Sequence, residues 1–228
     1  MIGKKPVIAI ILARGGSKRI PGKNVRLFGD KPMIVWTLEA AQKAKTVDRV
    51  ILSSDDDEIM DVVRKWGGEV PFRRPSELAS DEASSADAIM HALNELEIDD
   101  GYFVLLQPTS PLRTADDIDQ CMYCCFYKNV PLCQSVTHIG FPASWLVSVD
   151  QDEYLQKVGF DPDVDLFRPN GAVYVADVKW FKQHQSFWAE GQTISYEMPF
   201  IRSVDIDTEN DFQIAEALLH SKPFNECF

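Results

Sequence analysis

The sequence predicts an α/β fold built on a doubly wound, mostly parallel sheet of the Rossmann-like kind. Two observations carry this prediction. Short apolar runs rich in β-branched residues, typical of buried parallel strands, occupy residues 7–11, 50–52 and 102–106. Amphipathic segments of about three helical turns separate these runs, and such alternation gives right-handed crossovers with the ligand site beyond the strand C-termini.

Each predicted helix carries apolar side chains on one face, as Ile34, Leu38 and Ala41 do in the first. The predicted helices cover residues 33–44, 58–66, 84–96, 115–127 and 208–220. The three aspartates at 55–57 are interpreted as the acidic N-terminal run of the second helix. Thr208 is predicted to be the N-cap of the last.

The domain organisation is predicted from a change of pattern in the middle of the chain. Residues 1–138 and 168–228 are expected to form one α/β domain, which resumes with a strand at residues 172–175. Residues 139–167 are expected to form a small β-rich insertion, because apolar residues alternate at 145–149 and no long helix follows.

Bulk properties exclude several kinds of partner. The 228 residues carry a formal net charge of -12, which repels nucleic acids and anionic lipids. We therefore expect neither nucleic-acid nor membrane binding, and no apolar run approaches transmembrane length. The five cysteines have no zinc-type spacing and are interpreted as reduced thiols, which predicts a cytoplasmic location.

A glycine-rich basic loop follows the first predicted strand. Its sequence is Arg14, Gly15, Gly16, Ser17, Lys18, Arg19, Ile20, Pro21, Gly22, Lys23, Asn24. Glycines allow close backbone approach, so successive amides can face phosphate oxygens while Arg14, Lys18 and Lys23 neutralise their charge. The spacing matches neither a P-loop nor a dinucleotide fingerprint, and an ordinary basic surface loop is the alternative.

A polar segment with two prolines follows the third predicted strand. Gln107, Pro108, Thr109 and Ser110 stand where a ligand site is expected, beyond the end of the strand. Their side chains suit sugar hydroxyls, and the prolines reduce the entropy lost when such contacts form. The alternative is a proline-rich turn before a helix that Thr114 caps.

Two carboxylates stand two residues apart in the extended segment before the last helix. Asp205 and Asp207 therefore project from one face and can contact a single cation. Mg²⁺ binds a few carboxylates together with phosphate oxygens and water, so the pair predicts a site for a metal–triphosphate complex. The alternative is that Asp207 serves as a helix N-cap.

These segments, in their order along residues 7–215, resemble the CMP-N-acylneuraminate cytidylyltransferase family of the sialic and legionaminic acid type. Two further segments share the resemblance: residues 73–85, and the Arg-Pro-Asn-Gly-Ala run at residues 168–172. The resemblance implies a nucleotidyltransferase fold, the substrate CTP and the cofactor Mg²⁺. It also implies transfer of CMP to an acidic nine-carbon sugar with release of pyrophosphate.

The resemblance assigns a role to each segment. Implied catalytic residues are Arg14, Lys23, Asp205 and Asp207, the last two as metal ligands. Implied nucleotide-binding residues are Arg14, Gly15, Gly16, Ser17, Lys18, Lys23, Asn24, Arg74 and Ser85. Implied acceptor-binding residues are Gln107, Pro108, Thr109, Ser110, Arg168, Asn170 and Tyr174. An arginine at position 74 suits the acceptor edge of cytosine.

One departure from the family concerns the acceptor. Where the family carries an Arg-Gln-x-x-Pro stretch, residues 160–163 read Phe-Asp-Pro-Asp, so an arginine expected to bind the sugar carboxylate is missing. Arg168, Arg202 or a partner subunit are the candidates to supply that charge. Both legionaminate and N-acetylneuraminate therefore remain as acceptors.

Other functions are weighed on particular residues. Asn24 and Gln107 argue against a Kdo cytidylyltransferase, and the Asn-Gly-Ala run argues against the pseudaminate type. A catalytically silent, CTP-binding sensor is the alternative of another class, which the intact carboxylate pair disfavours. The insertion at residues 139–167 resembles the family's dimerisation element and predicts a homodimer.

Overall fold

The structure is a computed structural model in which residues 2–80, 82–159, 161 and 164–221 are described. The α-helices in this part of the chain are α1 (Met33–Lys43), α2 (Asp57–Lys65), α3 (Ser85–Glu95), α4 (Ala115–Lys128), α5 (Val178–His184) and α6 (Glu209–Leu219). The β-strands are β1 (Val7–Leu12), β2 (Leu27–Phe28), β3 (Lys31–Pro32), β4 (Arg49–Ser53), β5 (Tyr102–Leu106), β6 (Leu132–His138), β7 (Val147–Val149), β8 (Leu155–Lys157), β9 (Phe167–Asp177) and β10 (Thr193–Glu197).

The central sheet has the strand order β10-β6-β9-β5-β1-β4. Strand β1 pairs in parallel with β4 and β5, and β10 pairs in parallel with β6, whereas β9 is antiparallel to both of its neighbours. The predicted doubly wound, mostly parallel sheet is therefore confirmed. Because the five strands other than β9 run in one direction, their C-terminal ends lie at one edge of the sheet, and that edge is the expected place for a ligand.

Apolar side chains cover both faces of the sheet. Ala9 and Ile11 of β1 belong to one buried cluster, and Ile8 and Ile10 belong to another on the opposite face. Successive side chains of a strand point to opposite faces, so a strand buried on both sides must be apolar throughout. This explains why β1 and β5 could be predicted from their unbroken apolar runs.

A third buried cluster lies beneath the basic loop. It contains Ile20 from the loop, Phe28 from the β2–β3 hairpin, Leu112, Ile206 and Phe212 of α6. The cluster joins the loop, the segment after β5 and the carboxylate segment through apolar contacts. These three segments, far apart in sequence, are thereby held at one edge of the sheet.

Several elements were not predicted. Strands β6 and β10 and helix α5 were missed, and β9 begins at Phe167, before the predicted start at residue 172. The polar residues of β6 and β9 concealed them. Gln134 and Ser135 are buried in β6, and both make hydrogen bonds to residues distant in sequence. These bonds replace the hydrogen bonds to water that burial removes.

The segment between β6 and β9 contains a small antiparallel hairpin, β7 with β8. Apolar side chains of this segment face outwards: Trp145 is 72% exposed, and Val149, Tyr154 and Leu155 are exposed to a similar degree. Strand β9 reaches back to Phe167, so the boundary of the sheet domain falls at the start of that strand. Within the described residues, no helix combines the length and the apolar character required to cross a membrane.

Candidate active site

A cleft of about 580 Å³ lies at the edge of the sheet where β1, β4 and β5 end. Most of the residues predicted to bind a nucleotide or a sugar line it: Arg14, Ser17, Lys18, Lys23, Asn24, Arg74, Ser85, Gln107, Pro108, Thr109, Asp205 and Asp207. Residues from four separate segments therefore share one cavity. Six other predicted site residues are absent from this lining: Gly15, Gly16, Ser110, Arg168, Asn170 and Tyr174.

The first two glycines of the basic loop, Gly15 and Gly16, lie in a segment whose amides are bonded within the protein. The Gly15 amide donates to Asp55 Oδ1 at 3.2 Å, and the Ser17 amide donates to the Gly15 carbonyl at 2.9 Å. These amides therefore do not face the cleft in this structure. Neither Gly15 nor Gly16 has a positive φ, so conformational freedom is not the reason for glycine at either position. The loop lines the cleft with its cationic side chains together with Ser17 and Asn24.

The C-terminal half of the loop is a turn held by Asn24. Gly22 has a φ of +65° and its carbonyl accepts the amides of Val25 and Arg26. The buried Asn24 side chain donates to the Arg14 carbonyl at 3.0 Å, and the main-chain carbonyl of Asn24 accepts the amide of Ile34. Asn24 thus joins the two ends of the loop to each other and to α1, which places Lys23 at the cleft.

Lys23 contacts the segment that carries the carboxylate pair. Its Nζ donates to the Ile206 carbonyl at 2.7 Å and lies 3.3 Å from Asp207 Oδ1, and its side chain is only 11% exposed. Arg19 also approaches Asp207, at 3.7 Å. Thr208, not Asp207, caps α6, so the carboxylate of Asp207 is directed to these cations. The predicted N-cap at Thr208 is confirmed.

Asp205 is the more buried member of the pair, with partial exposure, whereas Asp207 is exposed. Burial is the main cause that raises the pKa of its carboxyl, and the charge of Asp207 raises it further. A hydrogen bond with Thr109 and the charges of Lys23 and Arg168 lower the pKa but do not outweigh burial. Asp205 Oδ1 is buried and, among the described residues, has no hydrogen-bond partner. An oxygen in this condition is prepared to accept a cation or a donor from a ligand.

The residues at this edge fit a magnesium ion that is bound mainly through a substrate. Within the described part of the chain, no three His, Cys, Asp or Glu side chains converge into a metal site. Asp205 and Asp207 can therefore offer two carboxylates but not a complete protein cage. Mg²⁺ commonly takes one or two carboxylates and completes its octahedron with phosphate oxygens and water, which this donor set allows.

The segment after β5 is held from behind by a buried arginine. Arg113 is 2% exposed; its guanidinium donates to the carbonyls of Gln107 and Ala172 and to the hydroxyl of Thr37. The amide of Ile206 donates to the Thr109 carbonyl at 2.8 Å. These bonds fix Gln107 to Thr109 beside the carboxylate segment. Ser110 is fully buried behind them, so its hydroxyl is not at the cleft surface.

Asn170 lies inside the protein, at an irregularity of β9. The register of β6 and β9 shifts between Gln134 and Val136. The Asn170 side chain accepts from the hydroxyl of Ser135 at 2.6 Å and donates to Ser203 Oγ at 2.9 Å. Its bonding capacity is satisfied by the protein. The structure therefore shows Asn170 shaping the strand and does not bring it to the cleft.

The irregularity places Gly171 against two polar side chains. Gly171 has a φ of +76°, and a Cβ there would lie 3.3 Å from Gln107 Oε1 and 3.7 Å from Asp205 Oδ2. A larger residue would be strained by its φ and would crowd both groups. The Asn-Gly pair thus determines how closely Gln107 and Asp205 approach β9.

The candidates for the missing carboxylate-binding charge differ in their surroundings. Arg202 makes a bidentate pair with the buried Asp117, at 2.9 and 2.8 Å, so its guanidinium is committed to the interior. Arg168 is exposed, and its Nη2 lies 3.4 Å from the Ser203 carbonyl. Positions 160, 162 and 163 of the departing segment lie outside the described residues. Of the two arginines, only Arg168 presents its charge to solvent near Asp205.

Arg74 lines the cleft, whereas Tyr174 does not. Tyr174 belongs to β9 and packs against Phe187, and burial, followed by the charge of Asp205, raises the pKa of its phenol. Arg74 is 4% exposed and donates to the Ala13 carbonyl at 2.8 Å, while its Nε is buried without a partner among the described residues. Arg74 therefore lines the cleft while it is bonded to the residue that follows β1, and it keeps one buried donor without a partner among the described residues.

Several lining residues were not assigned individually from the sequence, which singled out only Arg74 and Ser85 in the segment 73–85. They belong to the 3₁₀ turn Ser76–Ala79, the residues that follow it and the first turn of α3: Leu78, Ala79, Ser80, Ala83, Ser84 and Ala88. Asp55, interpreted only as part of a helix start, contacts the loop. The capping pattern Ser84 to Asp87, which the structure shows, was the one available signal that a helix begins at this wall.

The fold and the cleft together define a Rossmann-like nucleotidyltransferase. Two solved structures share the fold. CMP:2-keto-3-deoxy-manno-octonic acid synthetase complexed with CTP has a TM-score of 0.73 and 18% identity, covering 94% of this chain and 98% of its own. The 4-diphosphocytidyl-2C-methyl-D-erythritol synthase of Anaerococcus prevotii has a TM-score of 0.69 and 16% identity, covering 95% and 97%.

The particular family follows from the sequence match. The profile of the cytidylyltransferase family matches residues 8–223, and the chain belongs to that family. It is 32% identical to the CMP-N,N'-diacetyllegionaminic acid synthase of Legionella pneumophila, covering 93% of this chain and 96% of that protein. It is 31% identical to the pseudaminic acid cytidylyltransferase of Campylobacter jejuni, covering 92% and 95%.

A third relative is longer than this chain. The identity with the N-acylneuraminate cytidylyltransferase of Escherichia coli O18:K1:H7 is 32%, over 95% of this chain but 52% of that protein. The chain therefore spans about half the length of this relative. The similar identities of the three relatives do not distinguish one acceptor sugar from another.

Proposed function

We propose that this cytidylyltransferase is a CMP-nonulosonate synthetase, which transfers CMP from CTP to the anomeric hydroxyl of a sialic-acid-like sugar. The single observation that supports this most strongly is the meeting of the basic loop and the Asp205–Asp207 pair in one cleft. The names of the relatives support the choice of CTP and of an acidic 2-keto sugar. In the proposed reaction, the anomeric oxygen bonds to the α-phosphorus of CTP while the bond to pyrophosphate breaks.

The triphosphate is assigned to the basic side of the cleft. Arg14, Lys18 and Lys23 line this side and carry the charge that a triphosphate requires. Lys23 pairs with Asp207 in the structure and would exchange this partner for a phosphate oxygen. Because the acceptor and α-phosphate must meet in line, positioning and electrostatic stabilisation by these side chains would supply most of the rate enhancement.

Asp205 and Asp207 are assigned to the metal. When bound, Mg²⁺ would withdraw negative charge from the phosphate oxygens, which makes the α-phosphorus a better electrophile. The protein's own contribution is to hold two carboxylates on one side of the cleft, one partly buried and one exposed. The metal's charge would also replace that of Lys23 as the neighbour of Asp207.

The acceptor is assigned to the wall formed by Gln107 and β9. Gln107 and Thr109 line the cleft beside Asp205 and can bind sugar hydroxyls. Arg168 is the exposed cation on this wall, and we assign it to the sugar carboxylate. Asn170 and Gly171 would influence the choice of sugar by fixing the shape of the wall. We propose a legionaminate or N-acylneuraminate acceptor.

The test is an acceptor panel with CTP and Mg²⁺, read by pyrophosphate release and by mass spectrometry of the product. We expect a CMP-sugar with legionaminate or N-acetylneuraminate, and a lower kcat/KM with pseudaminate and Kdo. The highest kcat/KM with pseudaminate or Kdo would overturn the proposed acceptor. Tight CTP binding without turnover of any sugar would support a sensor function and overturn the proposed reaction.

We further propose that the chain functions as a cytoplasmic homodimer, with the β7–β8 hairpin in the interface. The support is the exposed apolar surface formed by Trp145, Val149 and Leu155, which is unusual on a single chain. Sedimentation of the wild type and of Trp145→Ser with Leu155→Ser tests the dimer. We expect a dimeric wild type and a monomeric double variant; a monomeric wild type contradicts the proposal.

A further inference from the structure

Asp55 lies just past the end of β4 and has no role in the function proposed above. Its Oδ1 accepts the Gly15 amide at 3.2 Å, and the same oxygen lies 3.8 Å from Arg74 Nη2. One carboxylate oxygen thus contacts the basic loop on one side and the Arg74 wall on the other. The side chain is 24% exposed, so water weakens these contacts less than it does on the surface.

The loop backbone lies so close to residues 55 and 56 that no side chain fits at position 15. A Cβ on Gly15 would lie 2.3 Å from Asp56 Oδ2, so only glycine lets the loop backbone approach this closely. Asp56 itself caps α2 by accepting the amide of Ile59 at 2.9 Å. The adjacent acids therefore have different tasks: Asp56 begins the helix, and Asp55 holds the loop.

The contact with Arg74 places the negative charge of Asp55 beside a buried guanidinium. Burial is the main cause that lowers the pKa of Arg74, the charge of Arg14 lowers it further, and Asp55 raises it. Within the described residues, Asp55 is the only carboxylate within 4.0 Å of this guanidinium. The exposed Arg73 also donates to the Asp55 carbonyl, at 2.6 Å. The backbone and the side chain of Asp55 are both held by arginines.

We propose that Asp55 is a positioning residue that fixes the separation between the phosphate-binding loop and the Arg74 wall. A single nucleotide contacts both sides only when this separation matches the length of CTP. Asp55 acts through Gly15 and Arg74 and does not touch the substrate. This inference rests on the proposed function, because it assigns the triphosphate to the loop and the cytosine to the Arg74 wall.

The test compares the binding of CTP with the binding of its parts. Calorimetry measures the affinities of CTP, of CMP and of inorganic tripolyphosphate for the wild type, Asp55→Asn and Asp55→Ala. Asp55→Asn retains an oxygen for the Gly15 amide but loses the charge beside Arg74. The matched control is Asp57→Asn, which removes a carboxylate paired with Arg73 at the start of the same helix. Thermal unfolding verifies that each variant is folded.

We expect Asp55→Ala to weaken CTP binding roughly 10- to 100-fold, as for the loss of a charge-assisted hydrogen bond, and Asp55→Asn to weaken it less. The affinities for CMP and for tripolyphosphate should each fall only a few-fold. Each of these ligands contacts one side of the cleft, so its binding does not depend on the separation between the loop and the Arg74 wall. Steady-state kinetics should show a raised KM for CTP and an unchanged KM for the acceptor sugar. Asp57→Asn should resemble the wild type.

Two results would overturn the inference while leaving the proposed function intact. One is that the wild type binds CTP and that Asp55→Ala binds it with the same affinity. The other is a loss that is as large for CMP or tripolyphosphate as for CTP, which indicates a local defect and not a lost separation. A wild type that does not bind CTP overturns the proposed function and this inference together.

Discussion

The basic loop lines the cleft, whereas the Arg168–Tyr174 part of β9 lies behind the lining residues Gln107 and Asp205, so the two contribute to the site in different ways. In the loop, the cationic side chains line the cleft and the backbone is held by Asn24 and Asp55. In β9, the polar side chain of Asn170 is buried and bonded to Ser135 and Ser203. The loop therefore presents groups to a ligand, whereas β9 gives the wall its shape.

This difference predicts different consequences of mutation. Removing a charge at the surface of the cleft changes binding or rate and leaves the fold intact, because surface substitutions have small effects on stability. Removing a buried, bonded polar group leaves its partners unsatisfied and destabilises the fold. Measurements of activity and of stability on the same variants test whether the loop and β9 differ in this way.

The largest effect is expected at the carboxylate pair. Asp207→Asn removes a proposed metal ligand and the partner of Lys23, so kcat should fall by about 10³-fold, or ~4 kcal/mol. The melting temperature should stay near that of the wild type, since the side chain is 55% exposed. Glu209→Gln, which removes a nearby carboxylate paired with Arg26, is the control and should retain activity. An active Asp207→Asn would contradict the assignment.

The next effect concerns the loop. Lys23→Met should weaken CTP binding by about 10²-fold, or ~2.7 kcal/mol, because a buried charge-assisted contact with phosphate is lost. The affinity for CMP, which lacks the outer phosphates, should change less. Calorimetry with both nucleotides measures this, and Lys43→Met on the exposed face of α1 is the control. Equal losses for CTP and CMP would show that Lys23 does not contact the outer phosphates.

Asn170→Ala tests the other side of the comparison. It should lower the free energy of unfolding by about 2 kcal/mol, because Ser135 and Ser203 lose a buried partner. Urea denaturation measures the change, and Asn94→Ala, on the exposed face of α3, is the control. If the variant keeps full stability and loses affinity only for the acceptor sugar, Asn170 binds substrate and the structural role assigned here is wrong.

The smallest effect is expected on stability, when the charge of Asp205 is removed. Burial holds the pKa of its carboxyl above the usual range, so the folded protein binds this proton more tightly than the unfolded chain does. Its contribution to stability is complete below the unfolded pKa and is lost as the pH rises through the folded value. Asp205→Asn should therefore melt above the wild type near pH 7, and the difference should shrink towards about pH 4. A lower melting temperature near pH 7 would contradict this reading.

The fold was largely predictable because β1 and β5 are buried on both faces and therefore have unbroken apolar sequences. The elements that were missed carry buried polar residues, such as Ser135, whose partners are distant in sequence. No local pattern can show that Asn170 meets Ser203 across the site, and the motif alone therefore suggested a ligand contact. Gly15 was located correctly in the loop, but its reason, the side chain of Asp56, is visible only in three dimensions.

The most direct test of the proposed reaction follows the α-phosphate of CTP. The protein is incubated with Mg²⁺, a legionaminate or N-acetylneuraminate acceptor, and CTP that is radiolabelled at this phosphate. We predict that the label appears in a sugar-containing product and that one pyrophosphate is released for each sugar consumed. Label that remains in CTP, or that appears only in free CMP, would contradict the transfer of a cytidylyl group to the sugar.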